Sequence, residues 1–428
     1  MSRTRFAPAG PLRGSLRPPS DKSISHRAAL IAAMGDGETT IERYLDAADT
    51  RSTLAAVEAL GADVGGDPAG GLRIRGVGLR GARPATIDVG NAGTLLRLLP
   101  GWLAGQEGGA WTLDGDESIR RRPVDRITIP LRRMGANLSA REERLPPLEV
   151  QGTTLHGTTY EMPIASAQVK SCLLFAGLLA GGETRVLEPF PSRDHTERML
   201  VAAGAPLERV GEAVVVRPAE SLEPGPIPVP ADISSAAFFV VAASLVKGSD
   251  IVLNEVNVNP TRTGLLTILE RMGAKIELED EHEVGGEAIA QLRVRSPSLS
   301  ATEVGGAEIP LAIDELPLVA LAACFAEGTT VIRDAEELRR KESDRIETVT
   351  AALRALGGHV EATEDGMVIE GSGGLRGGSI DSHGDHRIAM LGAVAGLASR
   401  EGVEVHGMEA AAVSYPGFEA DLASLTSP

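Results

Sequence analysis

Long, almost continuously apolar segments recur along the chain, and each is followed by a glycine and a short run rich in β-branched residues. They span residues 28–41, 95–113, 171–187, 236–253, 317–332 and 387–405. A helix that is apolar on every side lies inside a domain, and glycine is the expected residue just after a helix C-terminus. The pattern predicts six buried helices, each leading into a strand.

A second series of helices alternates with the first. Each of these ends in a Gly-Ala or Gly-Gly turn before another strand, with its glycine at position 61, 135, 204, 273 or 357. Both series repeat about every 70 residues, which is longer than the repeat of short solenoids. We therefore expect six copies of an α/β unit in a closed arrangement, three copies in each domain.

Two proline-rich stretches indicate where the domains are joined. Residues 223–230 contain four prolines after the third copy, and Pro18-Pro19 precedes the first copy. A proline-rich linker is stiff. If the chain crosses between domains at both places, residues 1–19 plus 231–428 form domain 1 and residues 20–230 form domain 2.

The composition narrows the class of protein. The 428 residues carry a net charge of −17 and have a pI near 5.0, which argues against a nucleic-acid surface. Cys172 and Cys324 lie inside apolar runs, which is typical of small buried side chains rather than a disulfide framework or a zinc site. We find no secretion signal and no apolar run of membrane-spanning length, and we expect a cytoplasmic location.

The segment before the first apolar helix combines two prolines, capping residues and cations. Ser20 and Asp21 are both good N-cap residues, so Lys22, Ser23 and Arg27 are predicted within the first two helical turns. Cations and hydroxyls beside free backbone N–H groups form an anion site, most simply for phosphate. From this segment alone, an ordinary capped helix with solvated cations is an equally good interpretation.

The other five buried helices also begin with polar residues. The segments are 91–97, 166–171, 232–235, 314–315 and 385–387. Capping explains Asp232 and Ser234, but it does not explain Gln168 or Arg387. A mixed-charge run contains Lys341 and Arg345, whose i, i+4 spacing predicts one shared helix face beside Glu342. Together these positions predict a region that attracts anionic ligands.

In these segments the chain resembles the 5-enolpyruvylshikimate-3-phosphate synthase family, from Pro19 to Phe418. The matching segments, in the family's order, are 20–27, 90–94, 122–123, 166–168, 193–196, 341–345 and 385–390. The resemblance implies an α/β fold of two domains, each with three βαβαββ units, and an active site in the cleft between them. This inside-out α/β barrel-like architecture agrees with the repeat count reached from the pattern.

The resemblance also implies a reaction between shikimate-3-phosphate and phosphoenolpyruvate. The 5-hydroxyl attacks C2 of phosphoenolpyruvate while C3 is protonated, and the tetrahedral adduct then loses phosphate and a C3 proton. No metal and no organic cofactor are implied. The implied partners are these two small molecules, with no nucleic acid or membrane, and we expect a monomer.

Site residues follow from the resemblance position by position. Ser23, Arg27, Ser166, Gln168 and Arg193 would hold shikimate-3-phosphate; Lys22, Gly93, Arg122, Arg345 and Arg387 would hold phosphoenolpyruvate; Asn91, Thr94 and Ala167 complete the binding set. Lys22 and Lys341 are also counted as catalytic, the latter beside the reacting centre. Asp314 would act as the base for the 5-hydroxyl and Glu342 would exchange the C3 proton. Asp314 could instead be only an N-cap, and Glu342 could only pair with Arg345.

The chain departs from one branch of the family at three places. Ser166-Ala167-Gln168 replaces Ser-Ser-Gln, Arg193 is an added arginine, and Val413 stands where that branch has a lysine. The first two features resemble the branch that includes glyphosate-tolerant members. Gly93 nevertheless lacks the methyl group that can confer tolerance, so we expect inhibition by glyphosate.

Two other functions compete with this one. The related enolpyruvyl transferase that acts on UDP-N-acetylglucosamine uses a cysteine in the loop before an Arg-Pro pair, and residues 118–123 contain no cysteine. A non-catalytic binding protein built from repeats would not require cations together with Asp314 and Glu342.

Overall fold

Six helices of this computed structural model are buried along almost their whole length, as the hydrophobic pattern predicts. The structure describes residues 2–68 and 70–426. The buried helices are those that begin at Lys22, Gly93, Ala167, Ile233, Leu316 and His386. The helices are α1 (Lys22–Met34), α2 (Ala48–Ala59), α3 (Gly93–Leu103), α4 (Asp125–Arg133), α5 (Ala167–Gly177), α6 (His195–Ala202), α7 (Ile233–Leu245), α8 (Gly264–Arg271), α9 (Ile309–Ala312), α10 (Leu316–Ala323), α11 (Arg345–Ala355), α12 (His386–Ala398) and α13 (Phe418–Thr426).

The strands are short, and most follow a helix directly. They are β1 (Arg3–Phe6), β2 (Arg13–Leu16), β3 (Glu38–Glu42), β4 (Asp63–Asp67), β5 (Gly71–Arg75), β6 (Ala85–Asp88), β7 (Ala110–Asp114), β8 (Asn137–Arg141), β9 (Leu145–Gln151), β10 (Thr159–Glu161), β11 (Thr184–Leu187), β12 (Leu207–Val210), β13 (Ala213–Val216), β14 (Ile227–Pro228), β15 (Asp250–Asn257), β16 (Lys275–Val284), β17 (Glu287–Arg295), β18 (Glu303–Val304), β19 (Thr329–Ile332), β20 (His359–Ala362), β21 (Met367–Glu370), β22 (Gly378–Asp381) and β23 (Val403–His406).

In the part of the chain that the structure describes, three sheets are built from the strands of one repeat, and three others also include a strand from a distant segment, β14, β2 or β1. Five sheets have four strands, with orders β14-β3-β5-β4, β6-β7-β9-β8, β10-β11-β13-β12, β16-β17-β15-β2 and β18-β19-β21-β20, and the sixth has the order β1-β23-β22. In the second of these, β6 and β7 are parallel across a crossover that contains α3, and β8 and β9 complete the sheet in antiparallel pairings. The element order is therefore βαβαββ, which confirms the α/β repeat predicted from the sequence.

Glycine allows the sharp turn between the second helix of a repeat and its hairpin. Gly61 and Gly135 have φ values of 105° and 93°, which side chains with a Cβ rarely adopt. The amide of each donates back to the last turn of the helix, to Glu58 and Arg132 respectively. This is the C-terminal geometry that the Gly-Ala motif predicts.

The chain forms two compact units with the same architecture. Unit 1 comprises Met1–Pro19, Pro230–Glu283 and Ala288–Pro428, and unit 2 comprises Ser20–Val229 and Val284–Glu287. The boundaries inferred from the prolines did not include the short segment Val284–Glu287, which is the tip of the β16–β17 hairpin. Each unit has its own continuous apolar core, assembled around its three buried helices.

The strands nearest the prolines complete the sheets of each unit. β14 lies inside the proline-rich stretch and pairs with β3, Ile227 opposite Ile41. The stretch is therefore not only a linker, and its prolines fit because β14 is an edge strand that donates few hydrogen bonds. In unit 1, β1 pairs with β23 and β2 pairs with β15.

Candidate active site

Helix α1 of unit 2 begins as the sequence predicts. Asp21 is the N-cap, and its carboxylate accepts a hydrogen bond of 2.8 Å from the amide of Ile24. Lys22 and Ser23 are the first two helical residues, so they lie at the positive end of the helix dipole. The Lys22 ammonium is 3.0 Å from the carboxylate of Asp49, which is almost buried on α2. Asp49 therefore holds the lysine side chain at the helix start.

Arg27 is buried and joins three helices of unit 2. Its Nε donates to Thr196 Oγ1 at 2.7 Å, and its Nη2 donates to Ser171 Oγ at 3.1 Å. Its Nη1 donates to the carbonyl of Ser23 at 2.9 Å. The two hydroxyls are themselves 2.6 Å apart. A buried arginine destabilises an apolar helix unless polar groups bind its guanidinium, as they do here. These contacts explain why Arg27 is tolerated in a buried helix, which helix capping does not explain.

The start of α3 is organised around Arg122. Its Nη2 donates to Asn91 Oδ1 at 2.9 Å and to Ser118 Oγ at 3.2 Å. A Cβ on Gly93 would lie only 2.6 Å from Nη1 of the same guanidinium. The polar segment before α3 suggests Asn91 as a capping residue, and this interpretation is wrong. The N-cap of α3 is Ala92, and no side chain caps the helix. Asn91 instead orients Arg122.

Helix α5 contributes the third group of polar residues in unit 2. Ser166 is its N-cap and Ala167 its first residue. Gln168 donates to Thr94 Oγ1 and accepts from Arg97 Nη1, both at 3.2 Å. Arg97 is a cation that sequence reasoning left out of the site set. The sequence did contain a signal for Arg97, because it lies four residues after Gly93 and therefore on the same helix face.

Arg193 lies in the loop that enters α6 and is partly buried. Three residues later, Thr196 accepts the hydrogen bond from Arg27. The two arginines assigned to one substrate by the resemblance are therefore linked through the start of a single helix. Residues 191–196 are predicted to form a loop from their composition, but the loop ends earlier, because α6 begins at His195.

In unit 1, three carboxylates surround one buried arginine. The side chain of Arg345 is 1% exposed. Its Nε lies 2.9 Å from Asp385, its Nη2 lies 2.6 Å from Glu342, and its Nη1 lies 3.4 Å from Asp314. This arrangement confirms the ion pair between Glu342 and Arg345. It leaves the catalytic role of Glu342 a prediction.

The carboxylates change the protonation of this cluster. Burial by itself would lower the pKa of Arg345, but Asp385 and Glu342 outweigh it and raise the pKa above its ordinary value. For Asp385, burial acts to raise the pKa, and the charge of Arg345 more than offsets it, so the net pKa is lowered. Both groups are therefore held in their charged forms.

Asp314 contacts the three cations of unit 1 that the resemblance assigns to the site, Lys341, Arg345 and Arg387. Its Oδ1 is 3.2 Å from Lys341 Nζ, and its Oδ2 is 3.9 Å from Arg387 Nη2. It precedes α10, whose N-cap is Glu315, so the alternative of Asp314 as an N-cap is wrong. Lys341 and Arg345 do not share a helix face, because α11 begins at Arg345 and Lys341 is extended. The shared carboxylate brings them together instead.

Sequence reasoning missed the carboxylate that holds Arg387. Nη1 of Arg387 donates to the Asp314 carbonyl at 3.0 Å and to Glu315 Oε1 at 3.3 Å. The same oxygen of Glu315 accepts from Ser234, which also accepts from the buried Arg262 at 2.8 Å. Glu315 adjoins Asp314 and was seen only as a capping residue. Arg262 had no recognisable signal in the sequence.

Both cysteines are buried, as predicted. Cys172 lies inside α5 and Cys324 follows α10. Burial raises the pKa of Cys324 to about 12 and that of Cys172 still further. Neither thiol is placed to act as a nucleophile.

Two features are absent from the described residues, 2–68 and 70–426. No helix there is both long and apolar enough to cross a membrane. No group of three or more His, Cys, Asp and Glu side chains could hold a metal ion.

The fold and the two groups of residues define a class: a two-unit α/β repeat protein whose buried helices begin among arginines and lysines suited to anionic ligands. The chain belongs to the EPSP synthase (3-phosphoshikimate 1-carboxyvinyltransferase) family, whose model matches residues 6–422.

Individual relatives agree with the family match. A 3-phosphoshikimate 1-carboxyvinyltransferase of Synechococcus sp. (strain RCC307) is 50% identical over 425 residues, 97% of each chain. The protein of that name from Alkalilimnicola ehrlichii is 50% identical over 414 residues, 96% of this chain and 93% of the relative. A solved structure of EPSP synthase from Acinetobacter baumannii is 40% identical, with a TM-score of 0.88, and covers 100% of this chain and 98% of that one.

Proposed function

We propose that this protein transfers the enolpyruvyl group of phosphoenolpyruvate to the 5-hydroxyl of shikimate-3-phosphate, releasing phosphate. The observation that carries the proposal is the group around Asp314, where one carboxylate contacts both Lys341 and Arg345. A base and two cations in contact are what a hydroxyl needs in order to attack an anionic enol phosphate. Family membership over nearly the whole chain supports the same reaction.

We assign shikimate-3-phosphate to the hydroxyls, the amide and the arginines of unit 2. The residues are Ser23, Arg27, Ser166, Gln168 and Arg193, with Ala167 at the same helix start. Arg27 supports this role because its guanidinium is already oriented by two hydroxyls. A preorganised guanidinium binds phosphate or carboxylate with little loss of conformational entropy.

We assign phosphoenolpyruvate to a second set of cations. They are Lys22, Arg122, Arg345 and Arg387, with Asn91, Gly93 and Thr94 near the start of α3. Each cation has a carboxylate, amide or hydroxyl partner that sets its direction. A phosphate and a carboxylate on one small substrate require several such cations at once.

The proposed chemistry proceeds by addition and then elimination. Asp314 accepts the proton of the 5-hydroxyl as the oxygen attacks C2, and C3 takes a proton from an acid for which Glu342 is our candidate. The adduct then loses phosphate with its bridging oxygen, the phosphate takes up the proton held by Asp314, and a C3 proton returns to the Glu342 carboxylate. Lys22 and Lys341 stabilise the charge that develops on the leaving phosphate and at the reacting centre. Lys341 and Arg345 hold the Asp314 carboxylate in place for the attack, at 3.2 and 3.4 Å.

The cysteine-dependent transferase acting on UDP-N-acetylglucosamine is not favoured. That enzyme needs a cysteine in the loop before the Arg-Pro pair, and this chain has Ser118 and three arginines there. The two cysteines present are fully buried in other elements.

Phosphate release distinguishes the candidate functions. The purified protein is incubated with phosphoenolpyruvate and either shikimate-3-phosphate or UDP-N-acetylglucosamine, and phosphate is measured. We expect release only with shikimate-3-phosphate, accompanied by a product heavier by one enolpyruvyl group. Release only with the nucleotide sugar would favour the alternative transferase, and release with neither would favour a binding protein.

We also propose a cytoplasmic monomer that glyphosate inhibits in competition with phosphoenolpyruvate. The absence of a methyl group on Gly93 supports inhibition, since this side of the Arg122 guanidinium is left uncrowded. Activity unchanged at millimolar glyphosate would refute it. Light scattering tests the monomer, and fractionation of cells tests the location.

A further inference from the structure

We propose that Lys170, which no part of the proposed reaction uses, is a positioning residue that sets the loop carrying Arg193 for binding of the phosphorylated acceptor. The proposal rests on the proposed function, because it concerns the residues assigned to shikimate-3-phosphate. It follows from a buried ionic cluster in unit 2, formed by Lys170, Glu188, Ser192 and Glu197. We call it the Lys170 cluster.

Lys170 is buried in the first turn of α5, two residues after Gln168. Its side chain is 1% exposed. The ammonium lies 2.8 Å from Glu188 Oε1 and 2.7 Å from Glu197 Oε1, and it donates to the Ser192 carbonyl at 3.2 Å. The ammonium therefore donates two hydrogen bonds, to Glu188 and to the Ser192 carbonyl, and Glu197 adds an ion pair. A lysine is rarely buried to this degree unless it is paired.

The cluster fixes the chain on both sides of Arg193. On one side, Glu188 accepts from the Ser192 amide at 3.2 Å and from its hydroxyl at 2.5 Å, while Lys170 takes the Ser192 carbonyl. All the polar groups of the residue before Arg193 are therefore bound. On the other side, Glu197 lies in the first turn of the helix that follows and is paired with the same ammonium.

The same helix start supports the second arginine. Thr196, adjacent to Glu197, accepts from Arg27 Nε at 2.7 Å. Ser171, adjacent to Lys170, accepts from Arg27 Nη2 at 3.1 Å. The Lys170 cluster is thus one residue away from both side-chain contacts that orient Arg27. Any movement of the cluster is transmitted to both arginines assigned to the acceptor.

Removing the ammonium would leave two carboxylates buried together. Burial raises the pKa of Glu197, and Lys170 is the largest influence that opposes this rise. Without the cation, the carboxylates would take up protons or separate. Either response releases Ser192 and loosens the Arg193 loop. Glu188 and Lys170 therefore act through the loop rather than by touching the substrate.

A double-mutant cycle tests the proposal with the full-length protein. The variants are Lys170→Met, Arg193→Ala and the double variant, with Lys247→Met as a control at an exposed lysine of unit 1. We expect Lys170→Met to raise the KM for shikimate-3-phosphate at least ~10-fold, the size of one lost charged hydrogen bond. We expect the KM for phosphoenolpyruvate to change less than ~2-fold. In the Arg193→Ala background, Lys170→Met should raise this KM by a clearly smaller factor, because only its effect through Arg27 remains.

Three results would overturn the proposal. They are an unchanged KM for shikimate-3-phosphate in Lys170→Met, an equal rise in both KM values, and an equal factor in the two backgrounds. Lys170→Arg, which keeps the cation, should restore much of the affinity. If Lys170→Met does not fold, Ser192→Ala is used in the same cycle, where a rise of ~3-fold that vanishes with Arg193→Ala is expected. A wild-type protein that releases no phosphate would refute the proposed function, whereas an additive cycle in an active protein refutes only the positioning role.

Discussion

The substitution Gly93→Ala should weaken binding of phosphoenolpyruvate by displacing Arg122. The added methyl would lie 2.6 Å from Nη1 of Arg122 and 3.1 Å from Nη1 of Arg97. Non-bonded carbon and nitrogen atoms need about 3.5 Å, so the Arg122 guanidinium must retreat by roughly 0.9 Å. Its Nη2 is held at 2.9 Å by Asn91, and a movement of that size breaks or bends this bond.

The size of the effect follows from the bond that is lost. A hydrogen bond to a charged group contributes about 1.5–3 kcal/mol, which corresponds to roughly 10- to 150-fold in affinity. Part of the loss is recovered because an arginine side chain can relax, so we expect the lower end, about 10-fold in the KM for phosphoenolpyruvate. Glyphosate is a longer molecule than phosphoenolpyruvate. Its inhibition constant should therefore rise more than the KM.

The assay is steady-state phosphate release with each substrate varied, with and without glyphosate. Gly65→Ala is the matched control, since its Cβ would meet no atom within 4 Å and its φ is unrestricted. An unchanged KM for phosphoenolpyruvate in Gly93→Ala would refute the reasoning. So would an equal rise in the KM for shikimate-3-phosphate, because the displaced guanidinium is assigned to phosphoenolpyruvate alone.

Three further predictions concern unit 1 and the core of unit 2. Asp314→Asn should lower kcat by about 10²–10⁴-fold with an unchanged circular-dichroism spectrum, and a kcat within a few-fold of wild type would exclude Asp314 as the base. Asp385→Asn should cost about 3–5 kcal/mol in urea unfolding, because it leaves the buried Arg345 without its 2.9 Å partner; the control Glu308→Gln, in a half-exposed pair, should cost no more than about 1 kcal/mol. Burial lowers the pKa of His26 to about 3, so the unfolded chain binds the proton more readily; stability is complete above pH 6.5 and should fall by about 2 kcal/mol by pH 5. His26→Asn should remove this slope, and an equal slope in that variant would contradict the assignment.

Most of the fold could be predicted from the periodicity of apolar residues along the sequence. The six buried helices and the Gly-Ala turns are local features, and each repeat needs the same burial, so the pattern can be read without knowing the packing. The pairing of β14 with β3 was not readable in this way. This pairing joins residues about 185 positions apart and involves only two residues of a proline-rich segment. No local sequence pattern predicts such an edge strand.

The sequence predicts a set of candidate site residues but not the contacts that those residues make. Arg27 and Arg387 stood out because a cation disrupts an apolar helix, and Arg345 stood out because of its spacing from Lys341. What the sequence could not show was which partner holds each cation. The i, i+4 rule placed Lys341 and Arg345 on one helix, yet α11 begins only at Arg345 and Asp314 joins the two from a distant segment. Contacts of this kind depend on how repeats pack, which the local sequence does not encode.

The bridging oxygen of phosphoenolpyruvate gives the most direct test of enolpyruvyl transfer. Substrate labelled with ¹⁸O between C2 and phosphorus is converted in the presence of shikimate-3-phosphate, and the released phosphate is examined by mass spectrometry. Addition at C2 followed by elimination breaks the C–O bond, so the label should appear in the phosphate and the product should carry the unlabelled oxygen of the acceptor. Label retained in pyruvate would mean that the P–O bond is broken, and phosphate released without an enolpyruvyl ether would mean that no enolpyruvyl group is transferred. Either result would contradict the account.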